Sequence, residues 1–386
     1  MTIGLLGINF SSGNKGVAAL AYSALTIITD ILQDKSDLKI ICFSEESSQQ
    51  IEFIKDFFKL KEFKCVSYSI RNFMSLYAWK KSVDTCDIIF DFTGGDSFSD
   101  IYGVKRMLKV SLEKILIIHS KTKLVLAPQT YGPYKLKFSQ MLFRYIVKHS
   151  DLVMARDEAS RKLVYDETHI DAVCSADVAF CLPYDQTILE NKDVVNIGVN
   201  VSKLLWNGGY SGNNQFGLKV DYKTYILELL QQMSHNGNYA VWLVPHVITP
   251  DIESEDDFSL CVELSKMYNV NLAPKFSNPM EAKSFIASLD VFTGARMHST
   301  IAAISSNVAV IPFSYSKKFT GLYGSIEYPY LIDGKSEATN IAVQKTLHYI
   351  ERREDLAKAS RKSNLIAKKK NEVLYESFTG MINDIL

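Results

Sequence analysis

The sequence has few of the features that would assign it to a special class of protein. None of its six cysteines forms a CxxC pair, so we expect reduced thiols rather than a zinc site or disulfides. The formal net charge is zero, which gives no support for binding to nucleic acid. No apolar run approaches the ~20 residues of a membrane span, and the N-terminus lacks the basic region of a signal peptide. We therefore expect a soluble cytoplasmic protein without a nucleic-acid partner.

Spacings typical of metal and phosphate sites are also missing. HxH, HExxH, DxD and CxxC do not occur, so we expect no metal. The P-loop pattern GxxxxGK(S/T) and the dinucleotide pattern GxGxxG are absent as well. A phosphate site in this chain would have to be built in another way.

What is present is an alternation of short apolar runs with longer amphipathic stretches. This alternation predicts parallel strands connected by helices, in sheets covered on both faces. The predicted strands are TIGLLGINF, LKIICFS, CDIIFDF, KLVLAPQ, SDLVMAR, DAVCSAD, VVNIGVNVS, YAVWLVPHV, DVFTGAR and VAVIPFSYS. The pattern pauses at CLPYDQTILENKD, which predicts a linker near residues 183–194. We predict an α/β fold with two Rossmann-like domains, residues 1–185 and 190–386, and a helical tail from about Ala342.

Ligands of open parallel sheets bind outside the carboxyl ends of the strands, so the residues that follow each predicted strand are the candidates. In the first half, Asn14 stands between two glycines at a helix start, which fits an anion site or a plain tight turn. Gly95 and Asp96 follow the third strand, and a helix N-cap is the alternative role for Asp96.

Three further residues of the first half follow strands. Gln129 and Tyr131 could hydrogen-bond a polyol. Arg156 could bind a carboxylate, whereas the adjacent Asp157 is a good N-cap for a helix that begins at Glu158.

The candidates of the second half follow three later strands. His246 ends YAVWLVPHV and precedes the acidic run DIESEDD, which we interpret as a solvated loop with one carboxylate available to orient the histidine. Arg296 and His298 lie before or at the start of a helix, with Ser299 or Thr300 as its cap. The remaining two candidates, after VAVIPFSYS, are Tyr315 and Lys318.

Taken together, these residues predict a cationic site. Arg156, Arg296, Lys318 and the glycine-rich helix start are expected to meet in one cleft between the two domains. Guanidinium and ammonium groups in such a cleft favour a phosphorylated ligand held without a metal.

Several motifs of this sequence, in order over roughly residues 3–330, resemble those of the polysaccharide pyruvyl transferase family. They are GNKG, TGGDSFSD, APQTYGP, ARDEAS, SADVAF, VPH, GARMHSTIAA and YSKKFTGL. Arg296 and His298 match the Arg-x-His of the family, Arg156 the arginine before its Asp, and Lys318 the lysine of Tyr-x-x-Lys. Val17 departs from the family pattern, where many members have Asp, and so does Asp96, where many have Gly.

The resemblance implies a two-domain fold like that of GT-B glycosyltransferases, with the acceptor on the N-terminal side. It also implies transfer of a carboxyethylidene group from phosphoenolpyruvate to a sugar, with release of phosphate and formation of a cyclic ketal. The acceptor would belong to a bacterial-type polysaccharide such as a capsule, or to its lipid-linked precursor. Phosphoenolpyruvate would be a substrate, and no cofactor is expected.

Roles follow from this chemistry. We expect His298 to donate the proton, Arg296 and Arg156 to hold donor oxygens, and Lys318 to assist the leaving phosphate. Asp96 or His246 is the candidate base toward the acceptor. Asn14, Gly95, Gln129, Tyr131 and Tyr315 are expected to contact substrate.

Arg296 and the helix N-terminus should lower the pKa of His298, so we expect protonation mainly once the anionic donor is bound. The alternatives are a nucleotide-sugar GT-B glycosyltransferase and a non-catalytic phosphate- or sugar-binding relative. The basic stretch RREDLAKASRKSNLIAKKKNE predicts a solvated helix face or, alternatively, a peripheral contact with the inner face of the membrane.

Overall fold

A computed structural model describes residues 1–32, 38–69, 71–186 and 193–386. The chain divides into two compact units. The first unit contains Met1–Ser11, Leu20–Cys181 and Ala367–Leu386, and the second contains Ser12–Ala19 and Leu182–Ile366. Residues 187–192 of the predicted linker lie outside the described residues. That residues 1–185 and 190–386 fold as separate domains stays a prediction.

The first unit holds a seven-stranded parallel sheet in the order β3-β2-β1-β4-β5-β6-β7. Its strands are β1 Thr2–Leu6, β2 Lys39–Phe43, β3 Glu62–Cys65, β4 Ile88–Asp91, β5 Lys123–Gln129, β6 Leu152–Ala155 and β7 Val173–Cys174. The helices between them are α1 Lys15–Ile31, α2 Ser48–Phe57, α3 Phe73–Val83, α4 Val104–Ile118, α5 Lys137–Lys148 and α6 Glu158–Thr168. The strand order reverses between β1 and β4, which is where ligands of such sheets bind.

The second unit holds a six-stranded parallel sheet in the order β10-β9-β8-β11-β12-β13. Its strands are β8 Val195–Asn200, β9 Tyr239–Leu243, β10 Asn271–Leu272, β11 Val291–Gly294, β12 Ala309–Ser314 and β13 Ile332–Asp333. Its helices are α7 Lys203–Trp206, α8 Tyr222–Ser234, α9 Asp257–Tyr268, α10 Pro279–Ala287, α11 Met297–Ser305, α12 Lys317–Ser325 and α13 Thr339–Glu351. The last helix, α14 Arg353–Asn383, confirms the predicted helical tail.

Burial explains why the apolar runs form these sheets. Strand residues of β1 and β4, such as Ile3, Leu5 and Phe90, are wholly buried under helices. All ten predicted strands are present, because near-continuous apolar runs are typical of sheets covered on both faces. The strands that the sequence did not reveal are β3, β10 and β13, each short or partly polar. Within the described ranges, no helix has both the length and the apolar run that crossing a bilayer requires.

Candidate active site

Arg296 and Asp257 form a buried, two-pronged ion pair in the second unit. Arg296 is the residue before α11, and Asp257 is the first residue of α9. Nε of Arg296 donates to Oδ2 of Asp257 at 3.0 Å, and Nη2 donates to Oδ1 at 2.7 Å. The same carboxylate accepts the backbone N–H groups of Val247 and Lys203 at 3.0 and 2.9 Å. Asp257 therefore fixes the orientation of the guanidinium while its own charge is fully compensated.

The position of Asp257 corrects the interpretation of the acidic run. We expected DIESEDD to be solvated, and its first residues are exposed, but Asp256 and Asp257 are buried. Asp256 caps α9 by accepting the N–H of Ser259 at 3.0 Å. An Asp directly before an apolar helix pattern is a cap signal, and it could have revealed that the next residue turns inward.

His246 follows β9 and is buried, with 4% of its surface exposed. Neither of its ring nitrogens has a hydrogen-bond partner among the described residues. Burial, followed by the charges of His298, Arg296 and Lys15, holds the pKa of His246 well below its ordinary value. The lowered pKa favours the neutral imidazole, whose one N–H donor has no acceptor among the described residues.

The segment 12–19 is the part of the N-terminal region that belongs to the second unit. Asn14 forms an isolated antiparallel bridge with Val247, and the N–H of Lys15 donates to the carbonyl of His246 at 3.0 Å. Lys15 is itself buried, and Nζ donates to the carbonyl of Ser277 at 3.1 Å. Burial is the main cause of a lowered pKa for Lys15. The segment thus brings a second cation close to His246.

The N–H groups at the start of α1 already have acceptors among the described residues. The N–H of Gly16 donates to Oδ1 of Asn14 at 3.0 Å, and those of Val17 and Ala18 donate to its carbonyl at 3.0 and 3.1 Å. Asn14 acts as the cap of α1, so the structure favours the tight turn over the anion site. Substrate contact by Asn14 stays a prediction. It would have to involve an atom other than Oδ1 or the carbonyl oxygen, which already accept N–H groups of the helix.

His298 is the second residue of α11 and is half-buried. A Cβ built on Gly16 would lie 2.4 Å from its Nδ1, so only glycine fits there. The prediction that Ser299 or Thr300 caps the helix is wrong. Both lie inside the first turn, and their hydroxyls donate back to the carbonyls of Arg296 and Met297 at 2.7 Å each.

Tyr315 and Lys318 complete the second-unit candidates. The ring of Tyr315 packs edge-on against Phe216, with centroids 5.0 Å apart, and the side chain lies near enough to Arg296 to interact with it electrostatically. Lys318 is the second residue of α12 and is partly exposed. The structure therefore assembles Lys15, His246, Arg296 and His298 in one unit, with Tyr315 next to Arg296.

The first-unit candidates form a separate group around the turn after β4. Nη1 of Arg156 donates to the buried Asp177 at 2.8 Å, and its Nε donates to Thr130 at 2.8 Å. A Cβ on Gly95 would lie 3.1 Å from Nη1 of Arg156, so the turn lies against the guanidinium. Asp96 follows, and it accepts the hydroxyl of Tyr102 at 3.0 Å.

The alternative role of Asp96 as an N-cap is not observed. Ser99 caps the next turn, Asp100–Tyr102, instead. The meeting of Arg156 with Arg296 in one cleft stays a prediction, because these residues belong to different units.

A buried polar network, which the sequence did not suggest, contacts the turn after β4. Nζ of Lys114 lies 3.1 Å from Oδ2 of Asp91 and donates to Oγ1 of Thr93 at 2.7 Å. Both charged side chains are essentially unexposed. The network anchors Thr93, the first residue of the turn that carries Gly95.

Gln129 and Tyr131 are buried at the end of β5. Gln129 is wholly buried and donates to the carbonyl of Asp91 at 3.2 Å. Tyr131 is also buried, and its hydroxyl donates to the carbonyl of Met154 at 2.8 Å. The end of β5 turns both side chains into the core, and their contact with a polyol stays a prediction. The cap assigned to Asp157 is confirmed, since it accepts the N–H of Ser160 at 2.7 Å.

The sequence model of the polysaccharide pyruvyl transferase family matches residues 14–317. The chain belongs to this family. The matched range contains Arg156, Arg296 and His298 and ends directly before Lys318. Membership identifies a transferase that acts on polysaccharide. No curated protein matches the chain.

Solved structures resemble the chain over its length. A UDP-GlcNAc 2-epimerase from Neisseria meningitidis bound to UDP-GlcNAc shares 12% identity at a TM-score of 0.58, over 97% of this chain and 100% of that one. Anabaena HepE in complex with UDP shares 11% identity at a TM-score of 0.58, over 100% of both chains. A candidate UDP-N-acetylglucosamine 2-epimerase of Listeria monocytogenes shares 9% identity at a TM-score of 0.60, over 98% of this chain and 96% of that one. At these identities the likeness shows the fold alone, and it confirms the predicted α/β, GT-B-like class.

Proposed function

We propose that the protein transfers a carboxyethylidene group from phosphoenolpyruvate to a sugar, releasing phosphate and forming a cyclic ketal. The observation that carries this proposal is the group of Lys15, His246, Arg296 and His298 in the second unit. The carboxylate and phosphate of the donor would satisfy its positive charge. They would also accept from the buried N–H of His246, which otherwise lacks a partner among the described residues.

In the proposed reaction, His298 protonates C3 of the enol while a sugar hydroxyl attacks C2. The base toward the acceptor, Asp96 or His246, takes the hydroxyl proton. The bond between C2 and the phosphate oxygen then breaks, with Lys318 assisting the leaving phosphate. A second hydroxyl adds to C2, passes its proton to the released phosphate and closes the ketal.

Arg296 would hold donor oxygens from a fixed position, since its Nε and Nη2 donate to Asp257. Preorganised charge of this kind needs no rearrangement during the reaction. Arg156 is held by Asp177 and Thr130 in the first unit. Its contact with the donor is part of the proposal, as are the substrate contacts of Asn14, Gly95 and Tyr315.

The acceptor is proposed to be a sugar of a bacterial-type polysaccharide such as a capsule, or of its lipid-linked precursor. Membership of the family supports a polysaccharide as the source of the acceptor sugar. We propose that the reaction takes place in the cytoplasm and uses neither metal nor cofactor.

The test incubates the purified protein with phosphoenolpyruvate and candidate sugars, and in parallel with UDP-sugars. Release of phosphate only with phosphoenolpyruvate, and a product heavier by one ketal in mass spectrometry, are expected. Release of UDP would favour glycosyl transfer instead. Binding of phosphoenolpyruvate without phosphate release with any acceptor would favour a non-catalytic relative.

A further inference from the structure

The helices α3, α4 and α5 form one layer on one face of the first sheet. Each crosses between parallel strands in the same direction, and right-handed crossovers place all three on the same side. They share one core, to which they contribute Trp79, Met107 and Phe143. Because each helix follows a strand, their first turns all lie at the carboxyl edge of the sheet, the edge that also carries Asp96.

The first two turns of these helices expose large apolar side chains in the direction away from the core. Phe73, Met74 and Tyr77 of α3 are exposed over 78%, 71% and 61% of their surfaces. Leu108 of α4 and Met141 of α5 are exposed over 49% and 67%. The opposite sides of the same helices are buried, so the exposed residues are not part of the core. Large apolar side chains exposed together on one layer of helices mark an interaction surface.

The charge around this patch is mainly basic, although Lys80, Lys109 and Arg144 are paired with Asp84, Glu113 and Glu167. The segments 71–81, 101–109 and 134–144 each contain three Lys or Arg residues and no Asp or Glu. Arg71, Lys105 and Lys137 are exposed and take part in no ion pair of the described residues. Apolar side chains among basic ones are the combination that binds to an anionic lipid surface.

We propose that the first unit docks on an anionic membrane surface through the first turns of α3, α4 and α5. A second copy of the chain fits this patch poorly, because a symmetric contact would place its basic segments against each other. Docking at this edge would place the turn with Asp96 beside the bilayer, where a lipid-linked sugar is presented. The docking itself does not depend on the proposed reaction.

The test is flotation of the full chain with vesicles of phosphatidylcholine alone and of phosphatidylcholine mixed with phosphatidylglycerol. The protein should float with the mixed vesicles and much less with the neutral ones. Lys105→Glu/Lys137→Glu should weaken partition roughly tenfold or more, since each basic residue near the surface contributes about 1 kcal/mol. Phe73→Ser/Met74→Ser/Tyr77→Ser should also lower recovery and should leave the thermal unfolding unchanged.

Two variants serve as controls. Lys266→Glu/Met267→Ser changes an exposed basic–apolar pair on α9 of the second unit and should float like the wild type. Lys368→Glu/Lys369→Glu tests the basic face of α14 as the contact. Equal recovery from both vesicle types, or loss of binding in the α14 variant alone, overturns the proposal. So does a dimer in sedimentation velocity that the serine variant dissociates while no vesicle is bound.

Discussion

Gly16 and His298 lie so close together that no side chain fits between them. A Cβ built on Gly16 would lie 2.4 Å from Nδ1 of His298 and 2.8 Å from its Cβ. Real atoms do not approach so closely, so a larger residue at position 16 must displace the imidazole. The first turn of α1 therefore limits where the proposed proton donor can be.

The first prediction concerns this contact. Gly16→Ala should lower kcat roughly tenfold to hundredfold, because small displacements of a catalytic group are costly. Turnover of phosphoenolpyruvate and thermal unfolding should be measured together. The matched control is Gly237→Ala in the same unit, where an added Cβ would meet nothing within 4 Å. A Gly16→Ala protein with wild-type kcat would show that the contact does not matter for the reaction.

The second prediction concerns His298 directly. His298→Ala should lower kcat by ~10²–10⁴, the usual effect of removing a general acid. The half-buried side chain is near the surface of the unit, so the fold should persist. Phosphate release measures the fall in kcat, and circular dichroism checks that the fold persists. Wild-type turnover in this variant would mean that another group protonates C3.

The third prediction concerns the buried pair of Arg296 and Asp257. Asp257→Asn removes the charge that compensates Arg296, so the free energy of unfolding should fall by about 3–5 kcal/mol. The KM for phosphoenolpyruvate should also change, because the guanidinium loses its fixed orientation. Denaturant unfolding and steady-state kinetics measure both.

The control for this pair is an exposed one. Asp171→Asn breaks the pair with Arg161, whose side chains are 65% and 39% exposed. Exposed pairs contribute little because water screens them, so this variant should be close to wild type. Equal losses in the two variants would contradict the argument from burial.

The sequence allowed the sheets to be predicted because apolar runs report burial on both faces. It could not reveal β10 or β13, since two-residue edge strands such as Asn271–Leu272 leave no periodicity. Strand ends also located Arg296, His298 and His246 correctly at the carboxyl edge.

Which way a strand-end side chain turns is decided by tertiary packing, which the sequence does not show. Gln129 and Tyr131 turn into the core, and Asp257 is buried although its neighbours are acidic. Pairing between distant residues, such as Asn14 with Val247, has no signal in a single sequence.

The last prediction concerns the pH dependence of stability. The pKa of His246 lies well below 6.5 in the folded protein, chiefly because the ring is buried. The unfolded chain therefore takes up a proton as the pH falls through about 6.5, while the folded protein does not. Protonation stabilises the unfolded state, so folding stability should fall with decreasing pH, by up to about 1.4 kcal/mol per pH unit.

This contribution should disappear in His246→Gln, whose side chain does not titrate. Denaturant unfolding of the wild type and the variant between pH 7.5 and about 5 should give curves that converge as the pH falls. His235→Gln, a matched change of an exposed histidine in the same unit, shows whether loss of any histidine has this effect. Parallel curves for the wild type and His246→Gln would mean that the imidazole takes up its proton in the folded protein. The neutral N–H donor proposed for the anionic substrate would then be wrong as well.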